Sequence, residues 1–498
     1  MVHKAAYQLA WLFVVYSLLG GGFSWAFLPQ DYERDLPVPA VGNVTAATSY
    51  VKSNRVFQSQ VRTESTFYPY ELPGSPVVET HLVLAHFRGR EFSSSQRFHS
   101  GWDFAAGSFT NLGASFFYFN EGYLAYQSSP NFQMTIGRKV HPWGTFDHFW
   151  DLNLWEPRGN WDLIRPFPQG LTGIFLESRV NAFALTVFAS PIFFPSMNPE
   201  IREKNGSLVS PSRWYRSPIG SGNVLNRRTQ FVYSLKLPEM LQLATQSSFA
   251  AQLRWNPDDS GWWANLAVAN KPLNVLTIEY DYNLLLLSKG SQAEIQVRPT
   301  VSRHQLGTVE LGFRGTRWQS FLSVFTDRVT TPTPQNQVDS NNIKITDWLV
   351  QSHQNSQGFS VGGQWNLDYV SSLPTSSIEW SYLNIQVAPT EDRDETGKAR
   401  FSLFPDRFYW SHALQLRGTH SFYFYKHVVT AYARYMREMN QRGNLFSLGV
   451  QINWNQQFAI HGAIDILGVD NPEENTSPGF FNQFRTNDRL YAGISYAF

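Results

Sequence analysis

From Arg489 to Phe498 the chain alternates with a period of two. Leu490, Ala492, Ile494, Tyr496 and Phe498 fall on one face of an extended strand, and Tyr491, Gly493, Ser495 and Ala497 on the other. The same pattern recurs upstream. Phe446, Leu448, Val450, Ile452 and Trp454 oppose Ser447, Gly449, Gln451 and Asn453. Phe458, Ile460, Gly462, Ile464 and Ile466 oppose Ala459, His461, Ala463 and Asp465. Phe359, Val361, Gly363, Trp365 and Leu367 oppose Ser360, Gly362, Gln364 and Asn366. Val309, Leu311 and Phe313 oppose Glu310, Gly312 and Arg314, and Phe249, Ala251, Leu253 and Trp255 oppose Gln252 and Arg254. A soluble β-sandwich alternates too. Here the strands are long, and the polar face repeatedly carries Gln, Asn, Glu and Arg. Beyond residue 27 no long charge-free apolar run occurs. A membrane chain without apolar helices must close its strands into a barrel, because only then is every backbone group paired.

The terminal strand resembles the C-terminal strand of bacterial outer-membrane β-barrels. Their assembly signal runs polar–x–Gly–x–x–aromatic–x–Phe, and Gly493, Tyr496 and Phe498 occupy its key places. Tyr491 stands at the polar position, a departure from the pattern. The resemblance implies an all-β, transmembrane, antiparallel up-and-down barrel in the outer membrane of a Gram-negative bacterium. Outer-membrane lipid, lipopolysaccharide and the barrel assembly machinery are its implied partners.

Composition agrees. Aromatics make up 16% of the 498 residues, which suits a barrel girdled by rings at both membrane interfaces. Lys and Arg (40) balance Asp and Glu (39), so no basic surplus points to nucleic acid. Cysteine is absent, which excludes disulfides and thiolate metal sites. Residues 1–26 read as a signal peptide: His3 and Lys4, an apolar stretch from Ala5 to Leu19, then Ser24-Trp25-Ala26. An uncleaved anchor is the alternative, although the run is short of the ~20 residues a spanning helix needs. Residues 27–75 show no sustained period and read as an irregular periplasmic or lumen-entering segment. The barrel is then expected over 76–498.

The last strand gives every loop a side. If Phe498 ends in the periplasm, the long loops 469–486, 388–407 and 329–357 lie outside. The short links at Asn455-Gln456, Thr419-His420 and Thr316-Arg317 lie inside. The phase continues upstream only if 228–237 does not span. Loops 89–111, 140–170 and 191–245 are then external, and Ser128–Asn131 and Arg179-Val180 are internal turns. About eighteen strands result, with sixteen as the alternative. Eighteen strands of ~10 residues use about 180 residues, so much chain remains to narrow or plug the lumen.

The densest constellation is 140–170. Trp143, Trp150, Trp155 and Trp161 are interleaved with Asp147, His148, Asp151, Glu156, Arg158, Asp162 and Arg165, and four prolines forbid one long helix. Such a run is too aromatic for water and too charged for lipid, so it is expected to fold into the barrel as a constriction loop. Gly137-Arg138 at a strand end, then Trp143-Gly144 and an Asp- and Pro-bearing loop, is similar to the third-loop region of several porin families. That likeness implies acidic loop residues set against a basic wall, whose field orients solutes and sets ion preference. Asp147, Asp151 and Asp162 are the loop candidates. Arg138, Lys139, Arg254, Arg298, Arg314, Arg417 and Arg434 are the wall candidates, with Glu310 also lining the lumen.

No HExxH, P-loop or GxSxG is present. Ser411 and His412 are adjacent on a strand, so they face opposite sides and cannot form a dyad. An enzyme, a metal site and a cofactor are not expected. The expected function is a porin-like channel for passive or weakly selective diffusion of small hydrophilic solutes, with a homo-oligomer compatible with it. The alternative is a plugged structural or surface-interaction barrel working through its external loops.

Overall fold

In a computed structural model, described for residues 55–71, 77–92, 97–218, 220–224, 227–237, 240–256, 260–287, 290–330, 349–350, 353–367, 376–387, 407–455, 457–470 and 479–497, eighteen strands form one closed antiparallel sheet. The strands are β1 (Arg55–Phe67), β2 (Glu79–Phe92), β3 (Phe98–Phe109), β4 (Ala114–Ser129), β5 (Phe132–Lys139), β6 (Leu171–Val180), β7 (Phe183–Ser190), β8 (Ser248–Trp255) and β9 (Gly261–Pro272). They continue as β10 (Arg303–Arg314), β11 (Trp318–Thr330), β12 (Ser356–Asn366), β13 (Ser377–Val387), β14 (His412–Phe424), β15 (His427–Glu438), β16 (Gly443–Asn453), β17 (Phe458–Val469) and β18 (Arg489–Ala497). Each pairs with its sequence neighbours in the barrel, and β1 closes onto β18, from Gln60 opposite Ala497 to Phe67 opposite Leu490. No sheet edge remains in the wall.

The alternation read from sequence is the inside–outside code. Phe249, Leu253, Val309, Leu311, Ile460, Leu490 and Ile494 are exposed on the outer face. Gln252, Glu310, Ser447, Gln451, His461 and Asp465 are buried on the inner face. Rings collect at the end where the links are short: Phe183, Trp255, Trp262, Trp318, Trp365, Phe424, Trp454 and Tyr496 all project outward. An apolar belt edged by aromatics is the surface of a membrane-spanning barrel. Gly493 sits where the closing seam is tight. A Cβ there would come within 2.3 Å of the Thr63 carbonyl oxygen on β1, so this place in the terminal strand admits no side chain.

The links sort into two ends. Residues 140–170, 191–247, 273–302, 331–355, 388–411 and 470–488 leave one end, with the shorter links 68–78, 110–113 and 439–442. Links such as 130–131, 181–182, 315–317 and 425–426 lie at the other. The strand 227–235 is outside the wall, as the loop phase requires. It belongs to a five-stranded sheet with 221–224, 277–287, 290–300 and 349–350, built on Leu208, Tyr233, Ile295 and Val297.

Five expectations are corrected. The barrel begins at Arg55: residues 55–67 are β1, so the irregular segment expected over 27–75 does not extend through them. Residues 89–111 are no external loop, since they hold the end of β2, a link at the short-turn end, and β3. Thr419 and His420 lie within β14, and the turn is at Tyr425-Lys426; Arg179-Val180 end β6, and the turn is at Asn181-Ala182. Arg298 is not on the wall. Its strand, 290–300, belongs to the outer sheet, where Arg298 pairs with Glu279. Eighteen therefore holds as a number while its membership changes. Residues 1–26, the expected signal peptide, and Phe498 lie outside the described residues.

Candidate functional site

The segment 140–170 runs from the end of β5 into the lumen and back to β6. Gly137 prepares the entry. Its φ is +126°, and a Cβ would sit 2.3 Å from the Gly122 carbonyl oxygen, a conformation open to glycine.

The first half of the segment is a dry aromatic wedge. A short helix, α1 (Thr145–Trp150), has no cap of its own, because residue 144 is glycine. The wall supplies one. Glu310 on β10 accepts from the backbone N–H of Thr145 at 2.7 Å and of Phe146 at 3.3 Å, and from the Thr145 hydroxyl at 3.2 Å. A carboxylate at a helix N-terminus satisfies orphan N–H groups and opposes the positive end of the dipole. Trp143 and Trp155 stack at 5.3 Å and 9°, and Phe146 stacks on Phe325 of β11 at 4.9 Å and 7°. The Trp150 indole donates to Ser360 at 3.1 Å and the Trp155 indole to Thr308 at 3.2 Å. Asn265 donates to the Trp143 carbonyl at 2.8 Å and to Glu310 at 2.9 Å, and Gln252 donates to the carbonyls of Pro142 and Trp143. Trp143, Phe146, Trp150, Leu154 and Trp155 are thereby buried against β8 to β12.

The second half is held by charge. Asp465 on β17 accepts from Arg165 at 2.8 Å and from Arg489 at 2.6 Å. Arg489 also pairs with Asp162 at 2.7 Å. Arg165 donates to Tyr432 at 3.1 Å and lies 4.8 Å over the Tyr491 ring, and the two tyrosine hydroxyls are 2.8 Å apart. The segment therefore crosses the lumen from β8–β12 to β15–β18. Trp161 meets β3 and β4 on the way, through Phe109 and Phe116.

The loop acids are engaged within this frame. Asp147 is buried and accepts from the backbone of Leu154 at 3.2 Å and Trp155 at 2.9 Å, closing the turn that follows α1. Asp151, in the left-handed region at φ 51°, pairs with Arg158 at 3.2 Å. Asp162 belongs to the Arg489 network. Glu156, fully buried, has its carboxyl pushed up to about 8 by desolvation, while the His141 backbone N–H it accepts at 2.6 Å pulls the other way.

The wall candidates divide. Arg434 donates to Gln415 at 2.9 Å and to the Ile164 carbonyl at 3.4 Å, so it touches the inserted segment. Arg138 is buried, 3.4 Å from Gln169 and 5.5 Å over the Phe194 ring, and Lys139 pairs with Glu177 at 2.8 Å. Arg417 lies 3.8 Å from Glu379. Arg254 and Arg314 lie on the inner face toward the short-turn end, and Arg417 lies on the inner face of β14 opposite Arg434. Ser411 donates to Glu438 at 3.0 Å and His412 meets the Tyr382 hydroxyl at 2.9 Å, so these neighbours have separate partners.

Arg165, Asp465 and Arg489, none of them among the expected constriction residues, tie the segment down. Asp465 had a signal: it is the one acidic side chain on an inner face whose neighbours are Ala459, His461, Ala463 and Leu467. Arg213 also went unread. From 191–247 it donates to the carbonyls of Tyr70 at 2.9 Å, Thr486 at 2.8 Å and Val77, to Asn487 at 3.2 Å, and lies 4.3 Å over Tyr68. Beside it Trp214, Phe480, Phe484 and Trp410 form an aromatic roof over the mouth. Between roof and wedge is a cavity of about 30 Å³, lined by Trp150, Asp151, Asn160, Arg407, Trp410 and Arg434 among others, room for about two waters. A further buried cluster joins His304 to Asp327 at 2.8 Å, with Arg407 on Asp327 and Lys271 on Asn274 at 2.7 Å. Among the described residues, no group of three or more His, Asp or Glu side chains is arranged to hold a metal ion.

No protein-family model matches the chain, and no curated protein matches it. Solved structures similar to it include Acinetobacter baumannii OccAB4, at 8% identity over 90% of this chain and 98% of that one, with a TM-score of 0.43. Pseudomonas aeruginosa OccK11 (OpdR) is similar at 10% identity over 89% and 95%, with a TM-score of 0.42. Salmonella typhi OmpF, in complex with daunomycin, is similar at 8% identity over 89% and 97%, with a TM-score of 0.38. At these values the likeness carries no weight of its own, and the fold rests on the strand pairing.

Proposed function

We propose that this chain is a porin-like channel of a Gram-negative outer membrane, through which small hydrophilic solutes diffuse with weak selectivity. The observation that carries the reading is the pairing of an apolar outer belt with a charged inner wall, with one external segment folded across the lumen. Water-soluble barrels have no use for the first, and filled cores have none for the second. The short-turn end faces the periplasm, and lipid, lipopolysaccharide and the assembly machinery are partners. Asp147 bonds the segment's own backbone and Asp162 pairs with Arg489 of the wall, so ion preference falls to the wall arginines Arg254, Arg314 and Arg417 and to Asp151, which keeps part of its surface in water.

A second reading, a plugged barrel acting through its external segments, is favoured by the buried wedge and the small cavity above it. Planar-bilayer recording separates the two. The channel reading expects discrete conductance steps from the full-length protein, and a reversal potential that moves toward cation preference in an R254A/R314A/R417A variant. A protein that inserts but never conducts, even after Asp147–Arg165 is replaced by a short glycine linker, overturns it.

A further inference from the structure

The apolar belt is weakest at β7 and β8. They are adjacent strands of eight residues each, and no other two neighbouring barrel strands are as short together. Eight residues at ~3.4 Å, tilted ~45°, rise about 19 Å, which falls short of an apolar band about 25 Å tall. At the long-loop end, where β7 leaves and β8 enters, β6 runs on past its pairing with β7 by Leu171–Gly173 and β9 past its pairing with β8 by Lys271 and Pro272; β9 also runs on at the other end, by Gly261–Trp263.

The chain places a helix there. Residues Met240–Ala244 form one turn and a half, three residues before β8. The turn is fixed to the end of β7: the Ala244 carbonyl accepts from the Phe193 backbone at 2.8 Å, and Leu241 accepts from the Thr245 backbone and hydroxyl. Two of its large side chains, Met240 and Leu241, face away from the protein, while Leu243 and Ala244 are half-buried. Met240 is 76% and Leu241 72% exposed, and Leu237 just before them is 78% exposed. Phe249, at 58%, and Ile192 continue the apolar surface down onto the wall. Held in water, three large apolar side chains at three-quarters exposure would be a cost with no return.

We infer that the turn Met240–Ala244, with Leu237 ahead of it, is an interfacial anchor. It lies in the lipid–water boundary of the outer leaflet and completes the apolar belt over β7 and β8, and its occupant is lipid acyl chain. Continuity with the lipid-facing surface through Phe249 selects lipid over a second copy of the chain. A short apolar helix lying in the boundary buries its apolar face at acyl depth. The inference rests on the membrane-barrel reading above.

The chain has no cysteine, so single spin labels can be placed at will. Full-length M240C, L253C and E203C, each labelled with a nitroxide and reconstituted into phospholipid vesicles, are compared by power saturation with oxygen and with a water-soluble nickel chelate. Leu253 is outward at mid-wall and Glu203 is exposed in the 202–209 hairpin. The M240C label should favour oxygen over nickel several-fold, in the class of L253C. If it falls with E203C, the turn Met240–Ala244 is in water and the inference is wrong. Strong spin–spin broadening at M240C would mean a second copy covers this face and would equally overturn lipid as the occupant. If L253C itself favours nickel, the membrane reading fails instead.

Discussion

The two halves of the inserted segment rest on opposite walls by different physics. Residues 143–155 are held by stacked rings, neutral hydrogen bonds and one carboxylate capping α1. Residues 162–165 are held by a chain of alternating charge, Asp162–Arg489–Asp465–Arg165. Dry packing is indifferent to ionic strength. Arg165 and Asp162 are each about a quarter exposed, so their pairing is open to screening. The difference makes the wedge the fixed side of the segment and the charged tip the side that can let go.

The largest effect should come from the fixed side. Trp155→Ala removes a ring stacked on Trp143 and bonded to Thr308, and should cost about 3–5 kcal/mol. Thermal unfolding of the detergent-folded barrel, followed by heat-modifiable gel mobility, would read it, with no dependence on salt. If Trp155→Ala were as stable as the parent, the wedge would not be the anchor described here.

Arg165→Ala comes next. It strips one partner from buried Asp465 while Arg489 stays, so about 1–3 kcal/mol is expected, part of it lost to water at the exposed guanidinium. Its signature is electrostatic: in the parent, raising salt from about 0.1 to 1 M, where the screening length falls to about 3 Å, should increase the frequency of conductance fluctuations, and in Arg165→Ala the salt effect should vanish. Equal salt dependence in both would assign the tip no releasable role.

A pH titration tests the border between the halves. The folded chain keeps a proton on Glu156 that the unfolded chain releases, since desolvation pushes its carboxyl up to about 8 from an ordinary 4.5. Protons are then bound more in the folded state, so stability should be greatest below about pH 4.5, fall as pH rises toward 8, and level off above it. Glu156→Gln imitates the protonated form and keeps the acceptor for His141, so this part of the slope should disappear without loss of the fold. A slope unchanged by Glu156→Gln would place the titrating group elsewhere.

Sequence alternation read the lipid face well wherever the outward residues are large and apolar, as in β16, β17 and β18. It failed where they are not. On β1 the outward set is Phe57, Ser59, Val61, Thr63, Ser65 and Phe67, so the strand that closes the barrel carries almost no contrast. On β4 a bulge at Asn120, opposite the step from Asp103 to Phe104 of β3, breaks the period in the middle. The opposite error arose at 290–300, whose Ala293, Ile295 and Val297 alternate as cleanly as any wall strand but face the small core of the outer sheet. The boundaries of 140–170 were legible because prolines and a mixture of rings with charges suit neither lipid nor water. The partners of its acids were not, because Asp147 bonds seven and eight residues ahead and Asp162 reaches β18.

By itself the sequence determined the strand period, the lipid face of those strands whose outward residues are large and apolar, and that 140–170 must find shelter. Those follow from backbone geometry and from transfer out of water, which act residue by residue. Only the tertiary structure decided which strands join the wall, that Glu310 caps a helix more than 160 residues away, and that Asp465 gathers Arg165 and Arg489. Each of these is a choice of partner across the barrel, and a partner is chosen by where the closed sheet brings two side chains together.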